Sequence, residues 1–113
     1  MALNYNLSKV YALSNNDTDF VKQTIELFMV EVPQNLKQIK IAIKTKNHQQ
    51  ANFYIHKIKP TFDLLGMIMA HDEILIVENW TVAAGKKKEI AATFKSIEKH
   101  VEKAIKEIKK NFG

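Results

Sequence analysis

The sequence contains no cysteine. That excludes disulfide scaffolds, thiolate zinc sites and cysteine nucleophiles. Arginine is missing as well, so all seventeen basic residues are lysine. Nucleic-acid recognition thereby loses its usual bidentate reader of guanine and phosphate. Chain breakers are few, with three glycines and two prolines, which leaves little sequence for long loops. No apolar run approaches the ~20 residues of a membrane helix, so no membrane association is expected. The opening Met1-Ala2-Leu3-Asn4-Tyr5-Asn6 lacks the basic and apolar regions of a secretory signal, and the expected compartment is the cytoplasm. Strand signals reduce to one β-branched run, Ile74-Leu75-Ile76-Val77, flanked by helix formers.

What is present is the composition of one folded domain, expected to span residues 1–113. The chain has 113 residues, 46% hydrophobic and 26% charged, which is enough for a single core. The net charge of +5 is unevenly placed. Residues 1–85 hold eight lysines against eight acidic residues, whereas Lys86 onward holds nine against four. The excess therefore lies on the last helix. A solvated face with lysines towards a helix C-terminus, where cations suit the dipole, accounts for it. A nucleic-acid-binding face is the alternative.

Apolar spacing predicts helices throughout. Leu7, Val10 and Tyr11 fit a short opening helix. Asn16 or Asp17 then caps a long helix whose stripe runs Val21, Ile25, Phe28, Val32, Leu36, Ile39 and Ile43. Pro33 interrupts it, but the stripe resumes beyond, so a bend is expected there and not a stop. Asn47 can cap a third helix carrying Ala51, Ile55, Ile58, Phe62 and Leu65, which Gly66 ends or loosens. A fourth follows with Ile74, Leu75, Val77 and Trp80 as candidate core, stopped near Gly85. The last carries Ile90, Phe94, Ile97, Val101, Ala104 or Ile105, and Ile108, close to a heptad seam. The expected fold is all-α, an antiparallel four-helix bundle with a short N-terminal lid helix.

The third helix carries the functional signal. At 100° per residue from Ala51, its apolar stripe stays within about 40° of one line, and His56 falls near 140°. An exposed position is expected for His56, where a core histidine would not sit. Lys59 lies one turn along, close enough to share a small anionic ligand. Gln49, Asn52 and Asp63 share that side. Phe53 and Leu64 also lie off the core stripe, which suits either a docking surface or a cover by the first helix. Pro60, four residues after His56, removes the amide that would bond the His56 carbonyl. Nothing comparable surrounds His48, His71 or His100. The absence of a Glu-x-x-His pair makes a di-iron bundle unexpected.

The segment His56-Lys57-Ile58-Lys59-Pro60-Thr61-Phe62-Asp63-Leu64-Leu65-Gly66 resembles the active segment of histidine-containing phosphotransfer (HPt) domains. His56, Lys59, Leu65 and Gly66 match the family pattern. The stretch Leu27 to Leu36, with its proline inside a helix, and the opening Leu7-Ser8-Lys9-Val10-Tyr11 are similar too. The likeness covers roughly residues 5–110. It implies a non-enzymatic phosphoryl carrier: His56 accepts the group, Lys59 offsets its charge, and receiver-domain aspartates give and take it. Receiver domains of response regulators or hybrid histidine kinases are the implied partners, with Mg²⁺ on the receiver alone and no cofactor on this chain. Docking is expected around Asn52, Phe53, Pro60, Asp63, Leu64 and Gly66, with the carrier a monomer.

The chain departs from the family in two respects. Pro60 and Thr61 replace the commoner small pair. Glu78 stands where the family often has a glutamine near the histidine. A carboxylate there accepts a hydrogen bond from the imidazole and also repels a phosphoryl group. Rival readings are a small helical enzyme, a nucleic-acid-binding bundle using the lysine-rich last helix, and a non-catalytic helical adaptor in which His56 is idle. An enzyme acting on an anionic substrate would want buried arginine, and there is none.

Overall fold

A computed structural model describes residues 4–112, the last of them in backbone only. It contains five helices: α1 (Ser8–Leu13), α2 (Thr18–Lys44), α3 (His48–Leu64), α4 (Ile68–Val82) and α5 (Lys87–Phe112). No strand occurs among the described residues, and none of their helices is long and apolar enough to cross a membrane.

Local chemistry sets the helix ends. The Asp17 carboxylate accepts from the amides of Asp19 and Phe20 at 3.0 and 3.3 Å, which satisfies two orphan donors at the start of α2. Asn47 does the same for Gln50 at 3.1 Å and starts α3. Both prolines sit inside helices without ending them. Pro33 and Pro60 are exposed, so the carbonyls they leave unpaired, Met29 and His56, are on the side that water can reach.

The four long helices pack in sequence order, α2 on α3, α3 on α4 and α4 on α5, and α5 closes back against α2. Their stripes meet in one core that includes Phe28, Ile39, Ile55, Ile58, Phe62 and Ile97. One expectation fails: Leu75 is half-exposed and the α4 core is Ala70, Ile74, Val77, Trp80 and Thr81. This helix is apolar on most sides, so periodicity alone did not say which side faces inward.

Two turns fix how the long helices meet. Gly66 has φ +63°, and a Cβ there would stand 2.7 Å from the Cβ of Asn6. The left-handed backbone favours glycine, and the close approach to Asn6 leaves no room for a side chain. Asn6 in turn donates its amide to the Leu65 carbonyl at 2.7 Å, which ties the segment before α1 to the end of α3. After α4 it is Ala84, with φ 53°, that adopts the left-handed conformation, and Gly85 serves a different need. A Cβ on Gly85 would collide with the Trp80 ring. That indole donates to the Lys86 carbonyl at 2.8 Å, and His48 lies against it at 4.6 Å with Nε2 2.8 Å from the Gly85 carbonyl.

Candidate functional site

His56 stands at the middle of α3 and faces outward because Ile55 and Ile58 on either side of it are buried. Its side chain is 59% exposed. Across the α3–α4 seam, Glu78 follows the buried Val77 and so emerges at the rim of α4, only 15% exposed. Its carboxylate lies 3.3 Å from His56 Nε2 and accepts from Lys59 Nζ with both oxygens at 3.1 Å. One carboxylate thus joins the imidazole and the ammonium.

The carboxylate is itself placed by α4 and α3 together. One turn along α4, the buried Thr81 hydroxyl donates to the Glu78 carbonyl at 2.6 Å and accepts from Asn52 Nδ2 at 2.9 Å. Asn52 is one turn before His56 on α3. The tie therefore fixes the sliding position of the two helices at the level of the site. Thr81 gave no signal in the sequence, since a lone threonine in a helix is unremarked by any pattern.

Asn52, expected in the docking surface, is instead half-buried in the α3–α4 seam by its bond to Thr81, and the other sequence-predicted residues fall into three groups around this triad. His56, Lys59 and Glu78 come together. Phe53 and Pro60 form an exposed flank beside them, with Phe53 55% exposed and not covered by α1. The Lys57 ammonium sits 4.7 Å above the Phe53 ring, and Tyr54 meets that ring edge-on at 5.2 Å. The remainder lie elsewhere. Leu64 is half-buried in the groove between α2 and α3 with Phe20 and Leu27. Asp63 accepts from Lys9 of α1 at 2.9 Å, and that hydrogen bond and charge hold its carboxyl below the usual range. Gly66 lies under Asn6.

Electrostatically the triad carries one acid and one base around an imidazole. Helical spacing places Lys59 beside His56 with its charge available; in the structure Glu78 already engages it. Any anion arriving at His56 competes with Glu78 for that ammonium. Glu78 faces His56 Nε2 at 3.3 Å as a charge contact and not as a hydrogen bond, so the ring keeps a lone pair free in either tautomer. The arrangement suits an exposed nucleophilic imidazole beside a carboxylate–ammonium pair.

A second histidine–carboxylate pair occurs between α4 and α5, with His100 Nε2 3.2 Å from Glu73 Oε1. Both side chains are about one-fifth exposed and no lysine joins them, so a partner protein has less access there. His100 lies one position off the α5 seam, where helical spacing gives no sign of a partner across the α4–α5 contact. Among the described residues no group of three or more histidine or acidic side chains is placed to hold a metal ion.

Compared with protein families, with curated proteins and with solved structures, the chain matches none.

Proposed function

We propose that this chain is a histidine phosphotransfer protein, a monomeric carrier that holds a phosphoryl group on His56 between receiver-domain aspartates of a two-component phosphorelay. The observation that carries the reading is the exposed mid-helix imidazole with a carboxylate on one nitrogen and an ammonium on that carboxylate. The architecture fits the same reading: four long helices as an antiparallel four-helix bundle, with α1 as its lid.

In the forward step the His56 lone pair attacks the phosphorus of an aspartyl phosphate in line. The N–P bond forms as the P–O bond to the receiver breaks, and the aspartate departs as carboxylate. The proton on the other ring nitrogen stays in place. Phosphoryl transfer asks mainly for positioning and charge compensation, and an entering phosphoryl oxygen can draw Lys59 away from Glu78. The reverse step onto a second receiver follows the same path. Phe53 and Pro60 offer the contact surface beside the imidazole.

The test is incubation with a phosphorylated receiver, followed by acid and base treatment of the labelled protein. Acid-labile, base-stable label is expected on the wild type, and His56→Gln should lose it with the fold intact, since exposed substitutions usually stay within about 0.5 kcal/mol. Label taken up by His56→Gln as fast as by wild type would overturn the assignment.

A further inference from the structure

The helices pack in the cyclic order α2, α3, α4, α5, so the α2–α5 seam lies on the edge opposite the α3–α4 seam of His56. That edge is grooved. One depression of about 580 Å³ has Pro33, Leu36, Val101 and Ile105 among its lining residues, and a second of about 440 Å³ adds Ile43 and Phe94. Lys40 and Glu98 line both, and their contact across the seam at 4.0 Å marks where the two meet. Over residues 91–109 of α5 the groove runs about 27 Å at 1.5 Å per residue.

Its charge is one-sided. Lys37, Lys40 and Lys44 line it from α2, and Lys95, Lys106 and Lys109 from α5, against only Glu98 and Glu102. The α2 lysines repeat at steps of three and four, so they form a single row along the groove. Among the described residues, Lys37, Lys44, Lys95 and Lys109 make no ion pair. The apolar groups are recessed: Leu36, Phe94 and Val101 are 5% exposed or less. Ala91 and Ala92, exposed and small, keep one end of the groove open.

We propose that this groove binds an acidic amphipathic helix of a partner protein. Such a helix would place its apolar stripe against the floor and its carboxylates against the two lysine rows. A lipid surface fits less well, because membrane-binding helices push large apolar side chains outward and here the floor is recessed between charged walls. A nucleic acid would leave the apolar floor unused. The site is separate from His56 and does not depend on the phosphotransfer reading.

The test uses the whole chain and a fluorescent synthetic peptide of about 18 residues, matching the groove at 1.5 Å per residue. One peptide carries leucines at helical spacing flanked by glutamates, and a control has the same composition in scrambled order. Anisotropy titration at about 0.1 M salt keeps distant charge attraction screened. The patterned peptide should bind at least about tenfold tighter than the scrambled one. The combined Lys37→Glu, Lys106→Glu and Lys109→Glu variant should lose about tenfold or more, and Ile105→Ala should also weaken binding, with helix content by circular dichroism unchanged in both. If the triple reversal fails to fold, the Lys→Gln set at the same positions reads the same loss. Equal binding of the two peptides, or insensitivity to the lysine changes, would overturn the proposal. So would tighter binding to anionic phosphatidylserine vesicles lost in the same variant, which assigns a membrane. Self-association abolished by those changes would assign a second copy of this chain and overturn it equally.

Discussion

At the scale of single residues, Glu78 is the informative one. It holds the imidazole and the ammonium together, yet it sets a negative charge where a phosphoryl group would arrive. Glu78→Gln removes that charge and releases Lys59 towards the phosphoryl oxygens. At a partly screened site the gain is about 1 kcal/mol, or roughly fivefold in the phosphorylated fraction at equilibrium with a phosphorylated receiver. Quantifying phosphohistidine in both proteins checks it, and a lower fraction in the variant would mean that orienting the ring outweighs the repulsion. His56 and its exposure were legible in the sequence because helical periodicity fixes the angular position of a residue on its own helix. Its contact with Glu78 was not, because the register between two helices is set by packing and by the Asn52–Thr81 bond, which no spacing encodes. The resemblance supplied the offset of Glu78 but not the double grip on Lys59.

At the scale of the element, the ends of α3 and the placement of α1 depend on a few contacts. Gly66→Ala forces a side chain into left-handed backbone against Asn6, and the cost is about 2 kcal/mol, lowering Tm by roughly 10 °C. A thermal melt decides, and an unchanged Tm would show that the Asn6 segment yields freely. The Lys9–Asp63 pair joins α1 to α3 on an exposed face. Its pH dependence has a definite sign. The folded Asp63 carboxyl is held below its ordinary value, first by the Lys9 hydrogen bond and then by the Lys9 charge. The contribution is therefore complete above the ordinary aspartate value of about 3.9 and disappears as pH falls through the lower folded value. Denaturation midpoints of wild type and Asp63→Asn should differ at neutral pH by a constant amount and converge only in strong acid. A gap that closes between about pH 5 and 7 would place the titration on another group. The helix caps were readable, since Asp17 and Asn47 each precede an apolar stripe. Leu75 was misassigned because a helix apolar on most sides gives periodicity nothing to select.

At the scale of the whole molecule, two edges of the helical assembly differ in character. The α3–α4 edge presents His56 beside exposed Phe53, and the α2–α5 edge presents lysines over a recessed apolar floor. For receiver binding the apolar neighbour should matter more than the charge. Phe53→Ala is expected to weaken it more than reversal of Lys103, Lys106 and Lys110 together, because truncating a central contact costs more than changing distant charges that salt screens. Titration of both variants against one receiver at two salt concentrations measures this. A larger loss from the lysine reversals at physiological salt would move the receiver site to α5.

The contact of Trp80 with His48 and the Lys86 carbonyl has an optical consequence. Trp80 is the single tryptophan of the chain, so the intrinsic fluorescence of the protein has one indole origin. That indole is 7% exposed and sits where the start of α3 meets the turn between α4 and α5. Its emission wavelength is a private gauge of whether this joint is shut. Helix content, read by circular dichroism, averages over every element. Where the two signals move together the chain unfolds as one unit, and where emission reddens first the joint has opened ahead of the helices.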